Sequence, residues 1–310
     1  MRAWPGVAAL TLLLVACSGR SATEQDAFAT PEAAFEALVV HLEKGDDARL
    51  ARLLGPGVDE LLRSGDAVQD AADAADFVAA YRARHLLEAD GDTRRTLLVG
   101  TDEWPLPIPA VQRAGKWYLD GNAGADELVY RRIGANELGA LDVLAGFVEA
   151  QQEYAAEGHD GDPPGIYALK LISDPGLQNG LYWETDEDEP ESPAGAFVAA
   201  AAAEGYRAAA GVPYQGYRYR MLYRQGANAD GGAREYFADG LLTRGFALLA
   251  WPAEYGVSGV MTFVINQDGV PFQKDLGEAT AESVAGVTAF DPDPTWRPSS
   301  KRDERSVTER

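Results

Sequence analysis

Residues 136–154, Asn-Glu-Leu-Gly-Ala-Leu-Asp-Val-Leu-Ala-Gly-Phe-Val-Glu-Ala-Gln-Gln-Glu-Tyr, decide the fold class of this 310-residue chain. One face of the stretch carries uncharged side chains at helical spacing: Leu138, Leu141, Leu144, Val148 and Gln151. Phe147 and Tyr154 lie beside that face. The pattern predicts one long amphipathic helix that ends before the glycine-rich residues 158–165. Such a helix needs a sheet or other helices to cover its apolar face.

Strand patterns follow this helix. Runs rich in β-branched and aromatic residues lie at 217–223, 245–251, 259–266 and 270–274. Gln267-Asp268-Gly269 supplies the turn between the last two runs. Further helices are expected at 167–172 and 194–208. The whole predicts a C-terminal domain, residues 133–296, in which the long helix packs on an antiparallel sheet.

The N-terminal part shows helical patterns first and strand patterns afterwards. Thr30-Pro31-Glu32 starts a helix, because threonine caps, proline suits the first helical position and glutamate favours the positive end of the helix dipole. Further helices are predicted at 48–54 and 71–85, and strands at 96–99, 108–113 and 116–119. Ala114-Gly115 is the predicted hairpin turn. We therefore predict a domain of residues 28–132, with helices packed on a curved antiparallel sheet, and an α+β fold class overall.

The first residues have the features of an exported lipoprotein. Met1-Arg2 is positively charged, residues 7–15 are apolar, and Leu14-Val15-Ala16-Cys17 forms a lipobox. We expect residues 1–16 to be a signal peptide, Cys17 to be acylated, and residues 17–27 to be a tether. The residue after Cys17 is Ser18 and not aspartate, which favours transport of the lipoprotein to the outer membrane, where it would face the periplasm. A plain signal peptide, with Cys17 near the cut by chance, is the alternative.

Composition excludes several function classes. The net charge is −22 and no basic stripe is present, which argues against nucleic acid and against adsorption to anionic lipid. Cys17 is the only cysteine, so disulfides and thiolate catalysis are not expected. Residues 297–310 are charged, lack apolar periodicity and are predicted to be disordered.

No motif predicts a catalytic, metal or cofactor site. The three histidines lie far apart in sequence: His41, His85 and His159. Ser258 lies in Gly256-Val-Ser-Gly, which is not the turn motif of a serine hydrolase. The acidic run 186–191 lacks the alternation of a calcium loop, and a solvated loop is the preferred interpretation. We therefore predict no metal and no cofactor.

Aromatic residues are concentrated in the C-terminal half. The candidate binding residues are Tyr182, Trp183, Tyr217, Tyr219, Tyr223, Trp251 and Tyr255. Three of them, Tyr217, Tyr219 and Tyr223, are predicted to share a strand face. A face of tyrosine and tryptophan suits a glycan or a partner protein. The alternative, which the pattern favours, is that these rings pack the sheet against the long helix.

Several segments together resemble the bacterial domain of unknown function 2950 family. They lie at 28–34, 104–109, 131–138, 180–183, 250–256, 258–270, 273–277 and 290–296, and include Trp-Pro-Leu-Pro-Ile-Pro and Ala-Trp-Pro-Ala-Glu-Tyr-Gly. The resemblance implies an exported envelope protein and carries no activity. The C-terminal half also resembles the globular part of pilins and pseudopilins, without their polymerising helix. The N-terminal half loosely resembles the nuclear transport factor 2-like fold.

Three functions remain open at this point. The preferred one is a non-enzymatic, periplasm-facing lipoprotein that binds another envelope component, protein or glycan, through its C-terminal domain. The second is an enzyme that acts on cell wall or polysaccharide with paired carboxylates, among which Glu254 is the first candidate. The third is an accessory component of a pilus or secretion apparatus.

Overall fold

The computed structural model describes residues 25–186, 190–203, 206 and 212–299. The predicted signal peptide 1–16, Cys17 and most of the predicted tether lie outside the described residues. So do residues 300–310 of the tail that we predicted to be disordered.

The N-terminal half begins with helices whose ends follow from local sequence. They are α1 (Pro31–Lys44), α2 (Asp47–Leu54), α3 (Asp59–Leu62) and α4 (Ala67–Ala83). The Thr30 side chain accepts a hydrogen bond from the Ala33 amide at 3.2 Å, and Gly45 ends α1 with a φ of 61°. Helix α4 starts earlier than predicted because Asp66 caps it.

An antiparallel sheet follows. Its strands are β1 (His85–Ala89), β2 (Arg94–Val99), β3 (Trp104–Pro105), β4 (Ala110–Arg113) and β5 (Lys116–Leu119). The order is β1-β2-β4-β5, and β3 also pairs with β2. The hairpin turn at Ala114-Gly115 is confirmed, with φ values of 48° and 76°. Strand β1 was not predicted, because its sequence lacks a clear alternation of apolar and polar residues. It is a strand because it pairs with β2 along its whole length.

The helices pack on this sheet around one hydrophobic core. Phe35 from α1, Leu53 from α2, Leu97 from β2 and Leu119 from β5 are each at most 1 % exposed. The predicted arrangement of helices on an antiparallel sheet is therefore confirmed for this half.

Helix α5 (Ala125–Ala156) is 32 residues long and begins well before the predicted start at Asn136. The extra turns carry buried Val129 and Ile133, so the apolar face continues towards the N-terminus. The predicted domain boundary at 132/133 falls inside this helix, and the division into domains 28–132 and 133–296 stays a prediction. No helix among the described residues is both long and apolar enough to cross a membrane.

The C-terminal half contains further helices and several short sheets. Its elements are α6 (Gly195–Ala203), β6 (Tyr217–Leu222), β7 (Arg224–Gln225), β8 (Arg234–Glu235), β9 (Phe237–Ala238), β10 (Leu241–Leu242), β11 (Ala247–Pro252), β12 (Met261–Asn266), β13 (Phe272–Asp275), α7 (Thr280–Ser283) and β14 (Arg297–Pro298). The main sheet is antiparallel with the order β14-β13-β12-β11-β6. Helix α5 packs on β11 and β12. The α+β fold class, with a long helix on an antiparallel sheet, is confirmed.

Two local predictions were wrong. Residues 167–172 are not helical, because their backbone pairs elsewhere: the Tyr167 amide donates to the Leu242 carbonyl, and the Leu171 carbonyl accepts from the Tyr182 amide. Arg297 and Pro298, predicted to be disordered, form β14 and pair with Gln273 and Phe272. The alanine-rich helix is present as α6, and most of its predicted C-terminal part lies outside the described residues.

Two glycine substitutions test the packing. A methyl group at Gly259 would lie 2.3 Å from the hydroxyl of fully buried Tyr217, so Gly259→Ala is expected to destabilise the protein by roughly 1–3 kcal/mol. Gly146 in α5 has no neighbour within 4 Å of such a methyl group, and Gly146→Ala is expected to stabilise by about 0.5–1 kcal/mol. Urea unfolding measures both, and equal effects of the two changes would contradict the described packing.

Candidate functional site

The seven aromatic candidates do not form one surface. Tyr217 is buried and Tyr223 is exposed, while the others are half-buried: Tyr182, Trp183, Tyr219, Trp251 and Tyr255. Trp183, Tyr219 and Trp251 pack against the C-terminal core. Their positions fit the packing alternative better than a continuous binding face, and their role in binding stays a prediction.

Tyr217 is a core residue. It is 0 % exposed, its hydroxyl donates to the Met261 carbonyl at 2.9 Å, and its ring lies 5.8 Å from that of Phe263. Of the three tyrosines predicted to share a strand face, only Tyr217 and Tyr219 lie in the strand. Strand β6 ends at Leu222, so Tyr223 leaves the strand before the alternation reaches it.

Tyr223 belongs to a small exposed apolar cluster. Its hydroxyl donates to the Leu169 carbonyl at 2.8 Å, and its ring lies 5.6 Å from that of Phe237. Leu169, Tyr223 and Phe237 are 39 %, 38 % and 37 % exposed. We call these three residues the Tyr223 patch. Large apolar side chains that remain exposed together on a folded surface are typical of contact sites.

Short strands hold this patch in place. The Tyr223 carbonyl accepts from the Tyr236 amide at 3.0 Å, next to the pairing of β7 with β8. Tyr236 is fully buried, and its hydroxyl donates to Gln225. Because neighbouring residues of extended chain point to opposite sides, burial of Tyr236 turns Phe237 outward.

Of the cations near the patch in sequence, one is shown to act on it. Lys170 follows Leu169 and acts electrostatically on Tyr223, whose pKa is raised by burial and lowered in part by that lysine. Lys170 also pairs with Asp174 at 2.7 Å. Arg224 and Arg234 have other contacts: the Arg224 guanidinium donates to Thr288, and that of Arg234 lies 5.9 Å from the ring centre of buried Tyr236.

A buried carboxylate joins the two halves of the structure. Asp66 is 2 % exposed, and one of its oxygens accepts from the amides of Val68 and Gln69. The other accepts from the Tyr206 hydroxyl at 2.8 Å and from the Gly216 amide at 3.0 Å. Asp66 therefore caps α4 and ties it to the segment that leads into β6.

Glu137 forms a second polar contact of this kind. It lies on α5, is 8 % exposed, and accepts from the amides of Val260 and Met261, both at 2.9 Å. Burial raises the pKa of its carboxyl group, and the two amides partly oppose that shift. The carboxylate satisfies the amides at the start of β12.

The remaining acidic and nucleophilic candidates have structural surroundings. Ser258 is fully buried and exchanges hydrogen bonds with the backbone of Glu254 in a tight turn. The carboxylate of Glu254 interacts electrostatically with Arg132, as do those of Asp70 and Asp73. Among the described residues, no group of three or more potential ligands could hold a metal ion. Part of the acidic run, residues 187–189, lies outside the described residues.

Sequence reasoning found Tyr223 and missed its neighbours. Leu169 was placed in an expected helix and Phe237 in no element, so nothing connected them to Tyr223. The buried acids Asp66 and Glu137 were also missed. Asp66 had a usable signal, since Ser64-Gly-Asp66 before an apolar helical pattern is a typical helix start.

The buried carboxyl group of Glu137 predicts a pH-dependent effect. Because its pKa is raised in the folded state, its contribution to stability is present below its unfolded pKa and is lost as the pH rises through the folded value. Glutamine keeps an acceptor for both amides and does not titrate. We expect the stability of Glu137→Gln relative to wild type to rise between pH 4 and pH 7, by about 1.4 kcal/mol for each unit of pKa shift.

Urea unfolding at both pH values measures this effect. Glu153→Gln is the matched control, because Glu153 is exposed on the same helix. A stability difference between Glu137→Gln and wild type that does not change with pH would contradict the burial of an ionisable group at this position.

A family model described as a protein of unknown function (DUF2950) matches residues 25–299. The match covers most of the chain and nearly all of its described part, and it confirms the family resemblance predicted from the sequence. No curated protein and no solved structure matches the chain. The pilin-like and nuclear transport factor 2-like interpretations stay predictions.

Proposed function

We propose, from the premise that this chain belongs to the DUF2950 family, that it is an exported lipoprotein that binds another envelope protein. In this proposal Cys17 carries the lipid that holds the protein in the outer membrane, facing the periplasm. The Tyr223 patch in the C-terminal half is the binding surface. The protein acts by binding and not by catalysis.

The Tyr223 patch is the observation that carries this proposal. Its three residues are each more than a third exposed, yet Tyr223 is held in place: its hydroxyl donates to the Leu169 carbonyl, its ring contacts that of Phe237, and its carbonyl accepts from the amide of buried Tyr236. A rigidly supported aromatic ring loses little conformational entropy when it binds, so such rings often dominate interface energetics.

The composition of the patch favours a protein partner over a glycan. Leu169 is aliphatic, and Tyr223 and Phe237 meet at an angle of 44°, so the rings do not form one flat platform. We therefore expect an apolar segment on the partner.

The anchor rests on the sequence alone, because Cys17 lies outside the described residues. The lipobox Leu14-Val15-Ala16-Cys17 follows an apolar run of signal-peptide length, and the only cysteine of the chain lies at its end. The predicted tether, residues 17–27, begins at Cys17. Gln25 is the first described residue, and its side chain donates to the carbonyls of Leu53 and Leu119.

Acylation of Cys17 is directly testable. Cells that produce the wild-type chain are grown with radiolabelled palmitate, and the protein is recovered and counted. We expect label in the wild type and in Ser18→Ala, and none in Cys17→Ala, because the thiol is the attachment point. Label in Cys17→Ala, or none in the wild type, would show that the anchor proposal is wrong.

The Tyr223 patch is tested by cross-linking in cells. A photoreactive amino acid placed at Phe237 is expected to give a discrete cross-linked band that contains a second envelope protein. Tyr223→Ser should reduce that band at least about tenfold, since loss of a central aromatic contact costs about 2 kcal/mol or more. Tyr130→Ser is the matched control, because Tyr130 is 68 % exposed on α5 and outside the patch.

Three outcomes would count against the patch. A band that Tyr130→Ser removes as strongly as Tyr223→Ser would indicate general destabilisation. The absence of any band would contradict a protein partner. Cross-linking only to peptidoglycan or polysaccharide would replace the protein partner by a glycan.

A further inference from the structure

A large apolar cleft lies in the N-terminal half, away from the Tyr223 patch. It has a volume of about 1320 Å³ and is bordered by α1, α2, α3, α4 and the first turns of α5. Leu106 and Ile108, from the segment between β3 and β4, lie at its floor. Its size matches or exceeds the usual volume of a small-molecule site, which is roughly 300–1,000 Å³.

The cleft walls are aliphatic and incompletely covered. The half-buried wall residues include Leu42, Leu61, Leu62, Phe77, Val78 and Trp104. These side chains pack against the N-terminal core on one side only. Each would gain about 25 cal/mol per Å² of apolar surface removed from water, so an apolar ligand that fills the space is favoured.

Charged groups border the cleft where it meets α5. Arg131 pairs with Glu127 and lies with its guanidinium 5.1 Å from the Trp104 ring centre. One of its guanidinium nitrogens is buried without a hydrogen-bond partner among the described residues.

The neighbouring guanidinium lies among carboxylates. Arg132 donates to the Leu61 carbonyl at 2.6 Å and lies near Asp70, Asp73 and Glu254. Partial burial lowers the pKa of Arg132, and the three acids oppose that shift. The charged residues that line the cleft are balanced, with four acids, Glu43, Asp47, Asp70 and Asp73, and four bases, Lys44, Arg63, Arg131 and Arg132. A head group without net charge suits such a lining.

We propose that this cleft binds a single-chain lipid whose head group carries no net negative charge. The aliphatic chain fills the space between α1, α3 and α4, and the head group lies at Arg131, Arg132, Asp70 and Asp73. A zwitterionic head group places its negative charge near the guanidinium groups and its positive charge near the carboxylates. The site is separate from the Tyr223 patch and does not depend on acylation.

Binding is measured with the full-length chain carrying Cys17→Ser, so that no acyl group of its own competes. The fluorescent apolar probe N-phenyl-1-naphthylamine reports occupancy of the cleft. Dodecylphosphocholine, zwitterionic and used below its micelle concentration, is expected to displace the probe at a concentration about tenfold lower than dodecanoate, which has a chain of the same length. The double change Asp70→Asn with Asp73→Asn should reduce this tenfold difference in displacing concentration between dodecylphosphocholine and dodecanoate.

Cleft-blocking variants locate the site. Ala74→Trp places a large side chain in the cleft and should abolish probe binding, while Ala72→Trp, on the same helix but outside the cleft wall, should not. If Ala74→Trp does not fold, a photoreactive dodecyl probe on the unblocked chain replaces it, and label is expected within residues 61–79. Three results would each overturn the proposal. They are unchanged probe binding in Ala74→Trp, photolabel found only outside residues 61–79, and tighter binding of dodecanoate than of dodecylphosphocholine.

Discussion

Helix α5 is the constraint on which the rest of the structure depends. It runs for 32 residues without interruption and contributes buried side chains to both halves, from Val129 near its start to Tyr154 near its end. A helix of this length is stable in water only where its apolar face is covered, because nucleation and ordering are costly. The N-terminal helices cover its first turns, and strands β11 and β12 cover its centre. Both halves are thus built against one rigid element.

Buried polar contacts set how the elements meet around that helix. Asp66 ties α4 to Tyr206 and Gly216, and Glu137 ties α5 to the start of β12. Asn136 adds a third contact, since its amide donates to the Ser258 carbonyl at 2.9 Å. Each contact satisfies backbone groups that would otherwise be buried without partners, a situation that costs about 1–3 kcal/mol per group. Hydrophobic burial holds the two cores together, and these side chains select one arrangement among the possible ones.

The two surfaces proposed for binding differ in chemistry. The Tyr223 patch is exposed, partly aromatic and has Lys170 beside it, which suits a protein partner. The cleft is mostly aliphatic, and its charged lining residues are balanced, which suits a flexible chain with a head group of no net charge. They lie in different halves, so a ligand in the cleft and a protein at the patch do not compete for the same residues.

The sequence by itself determined most of the long helices and strands, the α+β class and the family, because capping residues, apolar spacing and turn residues are local signals. Thr30 and the Ala114-Gly115 turn are examples. It also contains the predicted lipobox at residues 14–17, about which the contacts of the described residues give no information. The tertiary structure decided which aromatic rings are accessible at the surface. Tyr217 is buried in the core, whereas Tyr223, six residues later, is exposed. Leu169 and Phe237 join Tyr223 only through pairings between residues far apart in the chain. Local patterns cannot encode such contacts, because they arise when separate segments bury their apolar faces together.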